Sequence, residues 1–185
     1  MNYNLRAEDD LSNTKFYPGN GQGVSFFVGI FTQIFFGMFD GAGDGGWTHA
    51  QIATQDDWMR DTPNGASTDP SSAFSAPNVW GNDLAPSGFN GAYQPNVHNY
   101  LESPNIDCSG NTGVKVRFKR WLGVESAQFD QANVRVNGNL AWQNPNSVDL
   151  IDTSWVDQTI DISAWADNNP NVRVRFEMIS DGGVQ

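Results

Sequence analysis

Three stretches of the chain alternate between apolar and polar residues with a period of two, which is the period of a β-strand. They are "VKVRFKRWL" at 114–122, "VRVNGNLAW" at 134–142 and "NVRVRFEMI" at 171–179. In the first stretch the period places Val114, Val116 and Phe118 on one face and most of the lysines and arginines on the other. No window of a dozen residues has a comparable helical period, apart from a single turn predicted near "ISAWADNN". The alternation predicts strands with one face in a core and the other in solvent.

Turn residues separate these stretches. Asn137 and Gly138 tolerate the positive φ angles of a type I′ turn, so the second stretch is predicted to be a β-hairpin. The chain contains 19 Gly and 9 Pro, and clusters such as "TPNGAS", "APSGFNG" and "NPNS" lie between the apolar segments. Short strands joined by many turns are typical of an all-β antiparallel sandwich.

The charge balance limits the classes of partner. Ten Lys and Arg against 21 Asp and Glu give a formal net charge of −11. This argues against binding to nucleic acid or to an anionic membrane, because both are polyanions. The single cysteine, Cys108, cannot form a disulfide within the chain, and we expect it to be a small buried residue. The N-terminal sequence "MNYNLRAEDD" is acidic, unlike the basic start of a signal peptide.

An apolar run, "VSFFVGIFTQIFFGMF", covers residues 24–39. It is shorter than the roughly 20 residues that a membrane-spanning helix needs, and it includes polar residues, so we expect no membrane span. Its Phe and Ile content favours one long buried strand or two short ones. Residues 1–23 are polar and are predicted to be a flexible arm, and residues 24–185 are predicted to be a single domain.

The run leads into "DGAGDGG", residues 40–46. The glycines match the G-x-G-x-x-G pattern of dinucleotide sites, but no βαβ unit follows, so a turn is the better interpretation. Asp40 and Asp44 have the spacing of the first and fifth ligands in a calcium loop. The third position is Ala42, which has no side-chain oxygen, and the twelfth is Gln51, where an EF-hand needs a glutamate. An EF-hand is excluded. A looser calcium site, completed by carboxylates of distant strands, stays open beside a plain solvated turn.

Signatures of the common hydrolases are absent from the sequence, which has no G-x-S-x-G, H-E-x-x-H, C-x-x-C or P-loop. His49 and His98 stand alone and are predicted to be ordinary strand or loop residues. Glu125 and Asp130 flank a short loop after "KRW", and glycosidases use two carboxylates across a cleft. We favour a structural salt bridge from this pair to Arg120. A glycan-active hydrolase that uses Glu125 and Asp130 is the alternative.

Most basic residues of this acidic chain lie in the three alternating stretches, mainly at outward positions. If the strands are neighbours, they form a basic face flanked by tryptophan that suits an anionic glycan or an acidic partner. Ordinary cross-strand pairing with Glu177 and nearby Asp residues is the alternative. The candidate ligand-binding residues are Lys115, Arg117, Lys119, Trp121, Arg135, Arg173 and Arg175. Four tryptophans are open to two interpretations, core anchors, which we favour, or a sugar-binding platform: Trp80, Trp121, Trp142 and Trp155.

Several longer segments carry a family resemblance: "SAFSAPNVWGNDL" followed by "GAY", "YLESPNIDCSG", "VKVRFKRWLGVESAQFDQANVRVNG" and "WVDQTIDISAWADNNPNVRVRFEMISDGG". In this order they resemble the MAM-like jelly-roll domains of secreted bacterial proteins, which are similar to carbohydrate-binding modules. The resemblance covers about residues 46–183. It implies a jelly-roll β-sandwich, export, and a non-catalytic role in adhesion or in binding glycan or protein. Some relatives bind calcium where the first and last strands meet, and Asp181 is the candidate ligand in the matching turn.

The chain departs from that family pattern at both ends. Such domains typically begin with an acidic D-F-E strand and close with a G-G-W-x-I-D-D strand, whereas here residues 24–39 replace the first and the sequence reads "SDGGVQ" at the second. A jelly roll that lacks its closing C-terminal strand has an open sheet edge. We expect the run 24–39 to fill this edge within its own chain or to pack on the core. The alternatives are a piece of a longer exported protein and donation of the run to a neighbouring chain.

The sequence therefore predicts an extracellular or cell-surface binding module without chemistry of its own, as an accessory domain of a larger secreted protein. Its partner is predicted to be a glycan or an extracellular protein. A self-assembling subunit joined by strand donation from residues 24–39 is the second class of function, and the hydrolase is the third. Calcium at Asp40, Asp44 and Asp181, as a structural ion, is the one cofactor that the sequence suggests.

Overall fold

The computed structural model describes residues 4–8, 14–18, 31–85 and 89–183, and the chain forms two compact units, Met1–Gln33 and Ile34–Gln185. In the first unit, strands β1 (Asn4–Glu8) and β2 (Thr14–Pro18) pair antiparallel. The segment predicted to be a flexible arm, residues 1–23, therefore includes a pair of strands. The boundary between the units falls after Gln33 instead of after residue 23.

The described part of the second unit consists of short strands and one short helix. The elements are β3 (Thr48–Ala53), β4 (Trp58–Asp61), β5 (Val79–Asn82), β6 (His98–Glu102), β7 (Lys115–Arg120), β8 (Gly123–Val124), β9 (Gln131–Val136), β10 (Asn139–Gln143), β11 (Leu150–Ile151), β12 (Val156–Asp161), α1 (Ser163–Ala166) and β13 (Val174–Ile179). Five strands form an antiparallel sheet in the order β10-β9-β13-β6-β3. The others pair two by two, β7 with β12, β8 with β11 and β4 with β5.

The main core lies between the five-stranded sheet and the β7–β12 pair. Val134, Val136 and Val174 contribute from the large sheet and pack in one cluster with Ile160 and Ile162 at the end of β12. Full burial of a side chain of this size stabilises a fold by roughly 1.5–3 kcal/mol. Two antiparallel layers that enclose a shared apolar core make a sandwich, so the predicted all-β antiparallel sandwich is confirmed.

Local expectations hold at several positions. Asn137 and Gly138 have φ angles of 49° and 83° and join β9 to β10, which confirms the hairpin. The turn is held against β13's start, because the Asn137 side chain accepts a hydrogen bond from the Arg173 main-chain N–H at 2.9 Å. The predicted single helical turn is α1. Cys108 is a buried free thiol, as expected.

The apolar run is the clearest difference from the sequence prediction. Residues 24–30 lie outside the described residues. Residues 31–39 form no strand and are mostly exposed, so the expected buried strand is wrong for this part of the run. Two of its aromatic rings, Phe35 and Phe39, contact the Trp47 ring, with centroid distances of 6.4 and 5.6 Å.

Trp47 connects this segment to the sheet, since its ring lies 6.2 Å from the ring of Phe176 in β13. The described part of the run, residues 31–39, therefore contacts Trp47 through two phenylalanines and contains no strand. No helix in the described part of the chain is both long and apolar enough to cross a membrane.

The edges of the five-stranded sheet are β10 and β3, while β13 lies at its centre between β9 and β6. Among the described strands, β3 has β6 as its hydrogen-bonded neighbour and no strand on its other side. Nearly all of its residues are exposed, including Ile52. Among the described residues β3 is thus an open edge of the sheet, while the missing closing strand inferred from the family pattern stays a prediction.

Candidate ligand-binding surface

The basic residues predicted to form one face are divided between two layers. Arg135 in β9 and Arg175 in β13 are direct cross-strand neighbours in the large sheet, and Arg173 immediately precedes β13. Lys115, Arg117 and Lys119 lie on β7, whose partner is β12 and not a strand of the large sheet. The structure therefore brings the candidate residues together in two separate groups.

The arginines of the large sheet are paired with two carboxylates, a buried one at Glu177 and a half-buried one at Glu102. Arg135 Nε lies 2.6 Å from Glu177 Oε2, and Arg175 Nη2 lies 2.8 Å from Glu102 Oε2. The Arg175 guanidinium also stacks 3.8 Å from the centroid of the Tyr100 ring. On this face the interpretation as ordinary cross-strand pairing fits the geometry, because each guanidinium already has an anionic partner.

The outer face of the β7–β12 pair carries charges with fewer partners. Lys119 Nζ lies 2.7 Å from Asp157 Oδ2, and Lys115 stands across from Asp161 in the register of the two strands. Arg117 is exposed and stands across from Thr159, which carries no charge. The guanidinium of Arg117 on this face is therefore exposed to water. It lies between Lys115 and Lys119, each of which has an acidic neighbour on β12.

Three aromatic rings extend the same face at the ends of the two strands. The Trp155 ring lies 5.8 Å from the Trp121 ring and 6.5 Å from the Phe74 ring, centroid to centroid. Lys119 Nζ lies 4.2 Å from the centroid of Phe74. Phe74 is 56% exposed, and both tryptophans are half-buried. We call the four residues Phe74, Lys119, Trp121 and Trp155 the aromatic surface.

A loop at residues 62–74 fixes these rings. Trp121 Nε1 donates to the main-chain oxygen of Thr68 at 2.7 Å, and Trp155 Nε1 donates to that of Ser72 at 3.1 Å. The loop is closed by its own hydrogen bond from the Gly65 N–H to the Pro70 oxygen, 3.0 Å. It also fits closely on β8, because a Cβ added at Gly123 would lie 3.0 Å from Thr68. The polar edges of both indoles are thus satisfied before any ligand binds.

Rings held in this way offer flat apolar area with little side-chain entropy to lose on binding. Sequence reasoning named Trp121 and Lys119 but missed Phe74, which lies in an irregular loop without periodicity. Of the other tryptophans, Trp142 packs against the core, and Trp80 lies 5.3 Å from the His49 ring. Neither belongs to the aromatic surface.

The predicted metal ligands are placed as follows. Asp44 Oδ1 lies 3.3 Å from Arg60 Nε, and the same guanidinium donates to the main-chain oxygen of Phe39 at 2.6 Å. Asp40 accepts a hydrogen bond from the main-chain N–H of Asn78 at 3.2 Å. Asp181 accepts one from the main-chain N–H of Gly183 at 2.6 Å. No group of three His, Cys, Asp or Glu side chains in the described ranges is arranged as a metal site.

The two carboxylates of the hydrolase alternative have different surroundings. Asp130 is buried and accepts hydrogen bonds from the Tyr93 hydroxyl and from the main-chain N–H of Asp181. The pKa of Glu125 is raised by burial and by nearby carboxylates, first that of Asp130. Arg120 instead forms a two-bond ion pair with Asp152, at 2.9 and 3.0 Å, so the predicted salt bridge to Glu125 and Asp130 is wrong.

A buried carboxylate pair forms where β4 begins and β5 ends. Asp57 and Asp83 are 1% and 0% exposed, and the Asp83 N–H donates to the main-chain oxygen of Asp57 at 2.8 Å. Gln55 and Asn99 amide groups donate to the two Asp57 oxygens at 2.6 and 3.2 Å. Asp56, the sequence neighbour of Asp57, accepts a hydrogen bond from the His49 ring, with 2.7 Å between His49 Nδ1 and Asp56 Oδ2.

Asp83 is the less satisfied member of the pair. Its Oδ2 accepts from Gln94 Nε2 at 2.8 Å, while Oδ1 is buried without a hydrogen-bond partner. Burial raises the pKa of Asp83 to about 6, a hydrogen bond from Gln94 opposes this, and the Asp57 and Asp69 carboxylates raise it further. Sequence reasoning missed Asp83, because nothing in "WGNDL" distinguishes it from an exposed turn residue.

The chain is 29% identical over 142 residues to Bacillopeptidase F of Bacillus subtilis (strain 168). The match covers 76% of this chain and 9% of that protein, so the chain corresponds to a small segment of a much longer relative. No protein-family model matches the chain. No solved structure matches it either.

Proposed function

We propose that this chain is a non-catalytic binding module whose aromatic surface recognises a glycan. The observation that carries the proposal is the row of Phe74, Trp155 and Trp121, in which both indole N–H groups donate to main-chain oxygens of the loop 62–74. Aromatic rings stack on apolar ligand faces, and a partly exposed ring costs free energy in water until a ligand covers it. Arg117 and Lys119 beside the rings supply hydrogen-bond donors for hydroxyl or acidic groups.

The choice of this face over the large sheet rests on the ion pairs. A ligand that approached Arg135 or Arg175 would compete with the buried carboxylate of Glu177 and the half-buried carboxylate of Glu102. Breaking such a pair leaves a carboxylate without its partner in a poorly solvated place, which is costly. Arg117 has a neutral neighbour across the strand pair, so it binds an acidic group without that cost.

The setting we infer is that of an accessory domain of a larger extracellular protein. The small share of the relative that the match covers, 9%, supports a module within a longer chain. The resemblance of residues 46–183 to MAM-like jelly-roll domains of secreted bacterial proteins supports export and a role in adhesion. The relative is named as a peptidase, and the segment matched here is proposed to serve such a protein by binding.

Replacement of Phe74 tests the aromatic surface. We expect Phe74→Ala to weaken binding to a polysaccharide by about tenfold or more, because an aromatic anchor at the centre of a contact carries much of its free energy. The measurement is affinity gel electrophoresis of the full chain against a panel of neutral and acidic polysaccharides.

Phe129→Ala is the matched control, because Phe129 is also 56% exposed and lies outside the aromatic surface. Retained binding in Phe129→Ala with loss in Phe74→Ala supports the proposal. Equal binding of the wild type and Phe74→Ala across the panel would overturn it.

A further inference from the structure

Arg117 differs from the other arginines of the sandwich in its lack of a carboxylate partner. The other arginines between residues 60 and 175 each lie within ion-pair distance of an aspartate or a glutamate: Arg60, Arg120, Arg135, Arg173 and Arg175. Among the described residues, the exposed side chain of Arg117 forms neither an ion pair nor a hydrogen bond. An acidic ligand group that binds Arg117 therefore displaces water and breaks no existing ion pair.

Arg117 is close to the aromatic surface. It lies on the same side of β7 as Lys119, because side chains two residues apart in a strand point to the same face, with their Cα atoms about 6–7 Å apart. Lys119 Nζ in turn lies 4.2 Å from the centroid of the Phe74 ring. A sugar that stacks on Phe74 would therefore bring its neighbour in the glycan chain, or a branch, towards the guanidinium of Arg117.

The other charges of this face favour a ligand with few acidic groups. Lys119 Nζ is paired with Asp157 Oδ2 at 2.7 Å, and Lys115 stands across from the exposed Asp161. Because the Asp157 side chain is 74% exposed, a densely charged polyanion that covered Arg117 would also bring negative groups against these two aspartates. The formal net charge of −11 repels such a polyanion at longer range.

We propose that the glycan bound at the aromatic surface carries isolated carboxylate groups, and that Arg117 pairs with one of them. This inference rests on the proposed function and names the class of glycan. A guanidinium is planar and offers two parallel N–H groups that match the two oxygens of a carboxylate, whereas a lysine offers a point charge. A neutral polysaccharide with single uronic acid branches is a ligand of this class.

A polysaccharide with and without its acid groups tests the pairing. The probes are a xylan with glucuronic acid branches and the same polymer after reduction of its carboxyl groups to alcohols. In affinity gel electrophoresis we expect the full chain to bind the acidic polymer about tenfold more tightly, because hydrogen bonds between charged groups contribute at least this factor. Arg117→Gln should bind both polymers equally, and Arg117→Lys should keep part of the preference.

Arg173→Gln is the matched control, because it removes the same charge from a half-exposed side chain on the large sheet. Its preference for the acidic polymer should equal that of the wild type. Dextran sulfate, a dense polyanion, should bind no more tightly than neutral dextran.

Three results would overturn the inference. If Arg117→Gln keeps the wild-type preference, Arg117 does not read the carboxylate; the proposed function survives this result when Phe74→Ala still weakens binding to the reduced polymer. If dextran sulfate binds tightly and this binding needs Arg117, the face is a general anion site and is not selective for isolated carboxylates. If the wild type binds none of these polymers, the proposed function fails together with the inference.

Discussion

At the scale of single residues, two glutamates determine which part of the surface keeps free positive charge. Glu102 lies within ion-pair distance of both Arg173 and Arg175, at 3.4 and 2.8 Å. Glu177 similarly meets Arg135 and Arg175. Two carboxylates partly neutralise three guanidinium groups on the large sheet, so the net positive charge on that face is small. The sequence alone suggests a strongly basic strand.

Asp83 gives a prediction about pH. Its pKa rises from 3.8 to about 6 in the folded chain, so the folded state keeps a proton that the unfolded state has released. Its contribution to stability is therefore fully present below about pH 4 and is lost as the pH rises to about 6. We expect the difference in unfolding free energy between wild type and Asp83→Asn to follow this course in urea titrations, and a pH-independent difference would contradict it.

At the scale of elements, the loop 62–74 links the aromatic surface to the rest of the sandwich through close main-chain contacts. A Cβ added at Gly91 would lie 2.3 Å from the main-chain oxygen of Ala66, in a residue with a φ of 81°. Thr68 donates to the Gly91 oxygen at 3.3 Å, next to this contact. The position of the rings therefore depends on a glycine far from them in sequence.

Gly91→Ala should displace this loop. We expect it to lower the free energy of unfolding by more than about 1 kcal/mol and to weaken glycan binding together with stability, since backbone strain and a clash add. Gly110→Ala is the control: its φ of 73° imposes the same strain, but no atom lies within 4 Å of the added Cβ. Urea unfolding of both variants measures the contrast, and equal losses would show that the contact with Ala66 does not matter.

At the scale of the whole molecule, the layers of the sandwich pack on a shared core, but the large sheet has an open edge at β3. The strand has one hydrogen-bonded neighbour in the described part of the chain, and Ile52 on it is exposed. Such an edge is a template for pairing with a second chain. The phenylalanines of residues 31–39 do not cover it with a strand.

From the open edge at β3 we predict that copies of the chain associate with one another. We expect the mass from light scattering to increase with concentration, and Ile52→Lys to keep the chain monomeric, because a charge on an edge strand opposes pairing. Val148→Lys, at another exposed apolar residue outside β3, serves as the control. A wild type that stays monomeric at high concentration would exclude pairing through this strand.

The sequence predicts the faces of strands better than their neighbours. Alternation correctly assigns the inward residues of β7 and β13 and the turn at Asn137, because these depend on local geometry. Alternation does not show that β7 pairs with β12 and not with β13, since register and strand order arise from contacts between residues distant in sequence. Phe74 and Asp83 could not be predicted for the same reason, because their surroundings come from parts of the chain distant in sequence. Phe74 is positioned by a loop, and Asp83 becomes buried only after folding.

The central place of β13 also has a consequence for how the chain is made. It follows every other strand of the large sheet in sequence, yet β9 and β6 both need it as their neighbour. The sheet therefore cannot close while residues 174–179 are still being synthesised, and folding has to wait for nearly the whole segment. Until residues 174–179 are available, β9 and β6 each lack a hydrogen-bonded neighbour, so their unpaired edges are exposed for most of the synthesis of this segment.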